Sequence, residues 1–87
     1  MADIKNVRKV IESRLYGEQI AKMCKTPRTT SELRQMYVAE RRKSSIGGIS
    51  TFSEHLDALE EGKVIEYKDG KWQTTSEGVE ALAKYFG

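Results

Sequence analysis

The chain has 87 residues, of which 38% are hydrophobic and 32% charged, and its formal net charge is +2. This length allows one domain over residues 1–87 with a single core, and the composition excludes a disordered chain. The 15 basic residues nearly balance the 13 acidic ones, which disfavours a ribosomal or chromatin-coating protein. Any argument for nucleic-acid binding therefore depends on where the charges lie.

The expected compartment follows from what the sequence lacks. No apolar run approaches the about 20 residues that span a bilayer, and Met1–Lys5 lacks the apolar core of a signal peptide. Cys24 is the only cysteine, so we expect a reducing, cytoplasmic location and a small buried hydrophobe at that position. With His55 as the only histidine and no Cys-His spacing, we expect no metal site.

Two helices are predicted at the N-terminal end. Three-and-four spacing predicts an amphipathic helix over residues 3–15. Its buried face comprises Ile4, Val7, Ile11 and Leu15. The phase of the pattern breaks at Gly17, which predicts a second helix over residues 17–24. One long helix with two buried faces is the alternative, and it would indicate a dimer contact.

A further helix is predicted to follow Pro27. Thr29 and Glu32 fit a capping box, in which Thr29 caps the helix and Glu32 reaches back to the Thr29 amide. Its buried positions are Leu33, Met36 and Tyr37. Its last turn carries the basic run Arg41, Arg42 and Lys43, where cations suit the helix dipole.

The next helix is predicted after a turn over Ser44–Gly48. Ser50 or Thr51 can cap this helix, and Gly62 stops it. Its apolar face consists of Ile49, Phe52, Leu56 and Leu59. Its outer face is largely acidic and consists of Ser50, Glu54, Asp57 and Glu61.

A β-hairpin and a last helix complete the predicted elements. Strands are expected at Val64–Tyr67 and Trp72–Thr75, and Asp69-Gly70 fits a two-residue turn because both positions tolerate positive φ. Thr75 then caps an amphipathic helix over residues 76–86. Its apolar residues are Val79, Leu82, Tyr85 and Phe86.

This order of elements resembles the winged helix-turn-helix superfamily, in particular its small bacterial and archaeal transcriptional regulators. Residues 29–33, Thr-Thr-Ser-Glu-Leu, are similar to the start of the family's second helix. Residues 53–65 look like the recognition helix running into the first wing strand, and residues 73–78 look like the wing exit with its Thr-x-x-Gly pattern. One departure is the stretch 33–56, which is longer than a tight helix-turn-helix needs.

The resemblance implies an α+β, mostly α fold. A three-helix core carries a two-stranded β-hairpin wing, with an extra N-terminal helix and a C-terminal helix. The implied function is sequence-specific binding of double-stranded DNA by a transcriptional regulator. The recognition helix, about residues 50–61, would enter the major groove, and the wing, residues 64–75, would lie on the backbone or minor groove.

The candidate DNA-binding residues are small polar, charged or basic side chains in three segments. They are Arg41, Arg42 and Lys43 before the turn, Ser44, Ser45, Ser50, Thr51, Ser53, Glu54 and His55 at or near the recognition helix, and Lys68 and Lys71 on the wing.

Several of these residues have a structural alternative. Glu54 suits a capping box with Thr51 as well as a contact with a cytosine amino group. His55 lies at the border of the apolar face, so it suits a half-buried structural position. The basic run suits a solvated helix end, and lysines on a hairpin also serve to block edge pairing.

The sequence shows no nucleophile beside a base, no phosphate-cradling glycine loop and no paired acids, so we expect no enzyme, cofactor or small-molecule ligand. The amphipathic helices at both ends of the chain offer a homodimer contact. The near-neutral charge and the acidic recognition helix support a second hypothesis, a winged-helix protein–protein interaction module in a larger assembly. No exposed aromatic platform is evident, which argues against single-strand recognition.

Overall fold

The two N-terminal helices are separate, as the break at Gly17 predicts, and the alternative of one continuous helix is wrong. The computed structural model describes residues 3–43 and 52–87. Helix α1 spans Ile4–Ser13 and α2 spans Gly17–Met23. A Cβ at Gly17 would collide with the carbonyl oxygen of Ile11. Glycine therefore lets the chain turn sharply between the two helices.

Helix α3 spans Thr30–Lys43 and begins with the predicted capping box. The Glu32 amide donates to Thr29 Oγ1 at 3.2 Å, and the Thr29 amide donates to Glu32 Oε1 at 2.9 Å. The hydrogen bond from the Thr29 amide holds the pKa of Glu32 below its usual value. The basic run Arg41, Arg42 and Lys43 forms the last turn, as predicted.

The remaining elements are α4 at Phe52–Glu61, β1 at Ile65–Lys68, β2 at Lys71–Thr74 and α5 at Ser76–Tyr85. The described residues therefore form an α+β, mostly helical fold with five helices and one antiparallel hairpin that precedes α5. The hairpin turns at Asp69-Gly70 as predicted, with φ of 54° and 78°. Both strands extend one residue closer to the turn than predicted, because this tight turn lets Lys68 pair with Lys71.

The hairpin is attached to the chain that precedes α3. The Arg28 amide donates to the Trp72 carbonyl at 2.9 Å, and the Trp72 amide donates to the Arg28 carbonyl at 2.7 Å. The Thr74 amide also donates to the Cys24 carbonyl at 2.9 Å. Strand β2 therefore lies between β1 and the Arg28 backbone, which the sequence did not predict.

The core takes apolar side chains from every helix and from β1. Its largest fully buried members are Ile11, Ile20, Leu33, Leu59, Ile65, Leu82, Val7 and Val64. Cys24 is also fully buried, and burial raises the pKa of its thiol to about 12, as expected for a residue that acts as a hydrophobe.

Several predicted core positions are exposed or only partly buried, and Ile4, Tyr85 and Phe86 are among the partly buried ones. Leu15 is 47% exposed because α1 ends at Ser13, so this side chain leaves the helical stripe. Val79 is 42% exposed because α5 turns its Gly78, Ala81 and Leu82 side inward. Met36 is only partly buried on α3.

Helices α1 and α5 pack against each other within the chain. This packing buries Val7, Ile11 and Leu82 of the two apolar faces, Leu15 and Val79 stay exposed, and the homodimer stays a prediction. None of the helices in residues 3–43 and 52–87 combines the length and apolar composition that crossing a bilayer requires.

Gly62 follows the last residue of α4, as predicted. The lack of a side chain at this position also lets α1 approach closely. A Cβ at this position would lie 2.5 to 2.9 Å from the Val10 side chain of α1. The left-handed residue at this helix end is Lys63, with φ of 65°. Glycine is therefore needed at position 62 for the close approach of α1 to the end of α4.

We expect Gly62→Ala to lower the free energy of unfolding by about 1–3 kcal/mol, because the added methyl group overpacks the contact with Val10. Urea denaturation of Gly62→Ala, Val10→Ala and the double variant measures the coupling. The double variant should lose less than the sum of the single losses. A neutral or stabilising Gly62→Ala would contradict this account of the contact.

Candidate nucleic-acid interface

An aromatic cluster positions the first turn of α4 against α3 and the start of α2. The Tyr37 ring of α3 lies with its centroid 5.1 Å from that of Phe52, 5.3 Å from Tyr16 and 5.7 Å from His55. Tyr16 and His55 meet nearly edge-to-face at 6.1 Å. These side chains are all buried, so the cluster fixes where the first turn of α4 lies.

His55 belongs to this cluster and not to the surface. Its side chain is 2% exposed, and its Nδ1 accepts from Arg14 Nε at 3.4 Å. Burial, and after it the Arg14 guanidinium, lowers the pKa of His55 below its ordinary value. The ring is therefore buried more deeply than the predicted half-burial, which favours the structural alternative, and the DNA contact of His55 stays a prediction.

Two arginines of α3 lie near the first turn of α4. The Arg34 guanidinium carbon lies 5.8 Å from the centroid of the Phe52 ring. Burial raises the pKa of Tyr37, the nearby Arg41 charge opposes this rise, and the same charge helps to lower the pKa of His55. Arg34 is exposed and is not among the DNA-binding candidates predicted from the sequence. It lies four residues before Val38 and seven before Arg41, a spacing that places all three side chains on one stripe of α3 and that indicates a position beside Arg41.

The other end of α4 is acidic. Asp57, Glu60 and Glu61 are all exposed on its second half. Ser53 and Glu54 are exposed on the first turn. The described helix is therefore polarised, with arginines beside its N-terminal turn and carboxylates at its C-terminal end. The other predicted contacts, Ser44, Ser45, Ser50 and Thr51, lie outside the described residues.

The hairpin presents two chemically different faces because successive side chains of a strand alternate. Lys68 and Lys71 are paired at the tip and share a face with Glu66 and Gln73. On that face the Gln73 Nε2 donates to Glu66 Oε1 at 3.1 Å. The predicted contacts Lys68 and Lys71 are thus adjacent, exposed and at the end of the hairpin.

The opposite face of the hairpin is aromatic. The rings of Tyr67 and Trp72 lie 4.9 Å apart, and the Trp72 indole N–H donates to Thr30 Oγ1 at 2.9 Å. Trp72 is half-buried, as a packing residue would be, but Tyr67 is 52% exposed. An exposed aromatic side chain is therefore present on the hairpin, contrary to the expectation from the sequence.

No relative supplies a function for this surface. Comparison with known protein families, curated proteins and solved structures finds no match to the chain. Within residues 3–43 and 52–87, no three His, Cys, Asp or Glu side chains are grouped so that they could hold a metal ion. The distinctive features of the described surface are the cations beside the first turn of α4, the lysine pair at the hairpin tip and the acidic end of α4.

The burial of His55 predicts a specific pH dependence of stability. Its folded pKa lies below the ordinary value of about 6.5, so the unfolded chain binds more protons between these two values. The contribution of His55 to the free energy of unfolding is therefore level above pH about 6.5 and falls as pH drops from there toward the folded pKa. Denaturation of the wild type and of His55→Gln measures this slope, which the variant should lack.

A second measurement tests the same prediction on the wild-type protein, in case His55→Gln does not fold. His55 is the only histidine, so its ring resonances in the wild-type protein report its own titration. A midpoint at or above about 6.5 would show that burial does not disfavour the imidazolium.

Proposed function

We propose that this chain is a winged-helix protein that binds double-stranded DNA and regulates transcription by binding, without an enzymatic step. In this proposal α3 and α4 form the helix-turn-helix, α4 is the recognition helix and β1–β2 is the wing. The observation that carries the proposal is the placement of cations: Arg34 and Arg41 beside the first turn of α4, and the lysine pair at the tip of the wing.

The charge polarity of α4 favours one orientation on DNA. The N-terminal end of a helix carries a positive partial charge, and here it is flanked by arginines that attract phosphates. The carboxylates of Asp57, Glu60 and Glu61 would be repelled by phosphates. Helix α4 therefore enters the major groove with its first turn, where the Glu54 carboxylate is the acceptor for a cytosine amino group and Ser53 lies beside it, and its acidic end points away from the duplex. The predicted contacts at 44–45 and 50–51 remain part of the proposal.

The wing is attached to the same helix that supplies the arginines. The Arg28–Trp72 backbone pair and the hydrogen bond from Trp72 to Thr30 join the hairpin to the start of α3. Helix α4 is fixed to α3 through the Tyr37 cluster. The two cationic surfaces are therefore held at a set separation before DNA is bound, which lowers the entropic cost of making both contacts.

A second candidate is a protein–protein interaction module in a larger assembly. The observation that favours it is the exposed acidic end of α4, where Asp57, Glu60 and Glu61 would suit a basic partner. The near-neutral net charge of +2 also gives this chain a weaker attraction to nucleic acid than a strongly basic domain would have.

We expect the double substitution Lys68→Ala with Lys71→Ala to weaken binding to random and selected duplexes alike. Each lysine that neutralises a phosphate contributes about 0.9 to the slope of log K against log salt concentration, so the slope should fall by about 2. Fluorescence anisotropy of a labelled duplex across a salt series measures both quantities. The matched control is Lys5→Ala with Lys9→Ala, which removes two exposed lysines from α1.

The outcomes separate the two candidate functions. No binding by the wild type at low salt would overturn the DNA proposal and favour the interaction module. Binding that both double variants weaken equally would indicate a nonspecific charge effect and would remove the wing from the interface.

A further inference from the structure

Three residues form a row across the hairpin and its attachment strand. Tyr67 pairs with Trp72 in the β1–β2 register, and Trp72 pairs with Arg28 on its other side. Directly opposed residues of antiparallel strands project from the same face, so the two rings and the Arg28 side chain share one surface. Tyr67 stands at the open end of this row, with more than half of its side chain exposed.

Trp72 gives Tyr67 a firm support. The backbone of Trp72 is paired on both sides, and its indole N–H is held by the Thr30 hydroxyl. The Tyr67 ring rests against it at a centroid distance of 4.9 Å and an interplanar angle of 58°. The Tyr67 ring is therefore packed on a fixed partner, while about half of the residue stays exposed to solvent.

Along the chain the exposed ring is one residue from the cationic tip of the hairpin, whose two lysines project from the opposite face. Lys68 follows Tyr67 directly in the chain, and Lys71 precedes Trp72. Proteins bind unpaired nucleotides by stacking the bases on aromatic side chains and by contacting the phosphates with nearby cations. Bases inside a continuous duplex do not offer their faces to such a ring, whereas a base at a tail, gap or fork does.

We propose that Tyr67, supported by Trp72, stacks on an unpaired base next to a DNA duplex, so that the protein prefers duplex–single-strand junctions to blunt duplex. This rests on the proposed DNA-binding function and narrows its substrate. The size of the site favours a base over a protein partner, since a stable protein interface buries about 800 Å² on each side. The other large exposed apolar residues among those described, Leu15, Val38 and Val79, lie outside the hairpin.

The test compares three DNAs that share one duplex of about 16 base pairs. The first is blunt, the second carries a tail of three unpaired nucleotides, and the third carries the same tail with abasic sites. The abasic tail keeps the phosphates and removes the bases, so it separates stacking from added charge. We expect the tail with bases to bind at least about fivefold more tightly than the abasic tail, given the usual strength of base–aromatic stacking.

Substitutions then test whether the preference for the tail with bases depends on the Tyr67 ring. Tyr67→Ala should abolish the difference in affinity between the two tails. Tyr67→Phe should keep the difference, and Leu15→Ala, which removes another exposed apolar side chain, should also keep it. Trp72 is the only tryptophan, so its fluorescence should change with the base-containing tail and not with the abasic one.

Each negative result of this experiment contradicts a different claim. Equal affinity for both tails, with firm binding to the blunt duplex, would overturn this inference and leave the proposed function intact. A preference that persists in Tyr67→Ala would overturn the assignment to this ring. No binding to any of the DNAs would contradict the proposed function itself.

Discussion

The packing of the Tyr37 ring against Tyr16, Phe52 and His55 is the interaction on which the rest of the surface depends. Its partners come from the start of α2 and from the first turns of α4, so one side chain of α3 sets the position of both. Because the ring is buried, the pKa of His55 is lowered, and its Nδ1 accepts a hydrogen bond from Arg14 of the turn after α1. The same packing brings Arg34 and Arg41 beside the N-terminal turn of α4.

Helix α3 also holds the hairpin, through its other end. Thr30 in its first turn accepts the Trp72 indole N–H, and the Arg28 backbone just before it pairs with β2. Residues near the start of this helix therefore position the lysine tip and the aromatic face, and its middle positions α4. Three chemically distinct surfaces result: arginines at the start of α4, lysines with an exposed ring on the hairpin, and carboxylates at the end of α4.

The sequence predicted those parts of the fold that depend on residues three or four apart. The Thr29 capping box, the Asp69-Gly70 turn and the Thr75 cap, whose Oγ1 accepts from the Gly78 amide at 2.9 Å, are all interactions of this kind. The burial of His55 and the attachment of β2 could not be predicted, because each depends on contacts between distant parts of the chain. The same reason explains why the sequence indicated the hairpin lysines as candidates but missed Arg34 and the exposed face of Tyr67.

Central to this account is an orientation on duplex DNA in which the first turn of α4, the arginines of α3 and the hairpin tip face the phosphates. Backbone amide chemical shifts of the isotopically labelled protein, recorded while a blunt duplex is added at low salt, test it most directly. We predict that the shifts concentrate at residues 34–43, 52–55 and 67–71, while residues 57–61 of α4 and the exposed side of α1 stay unchanged. Shifts concentrated at the acidic end of α4 or on α1 would contradict the account.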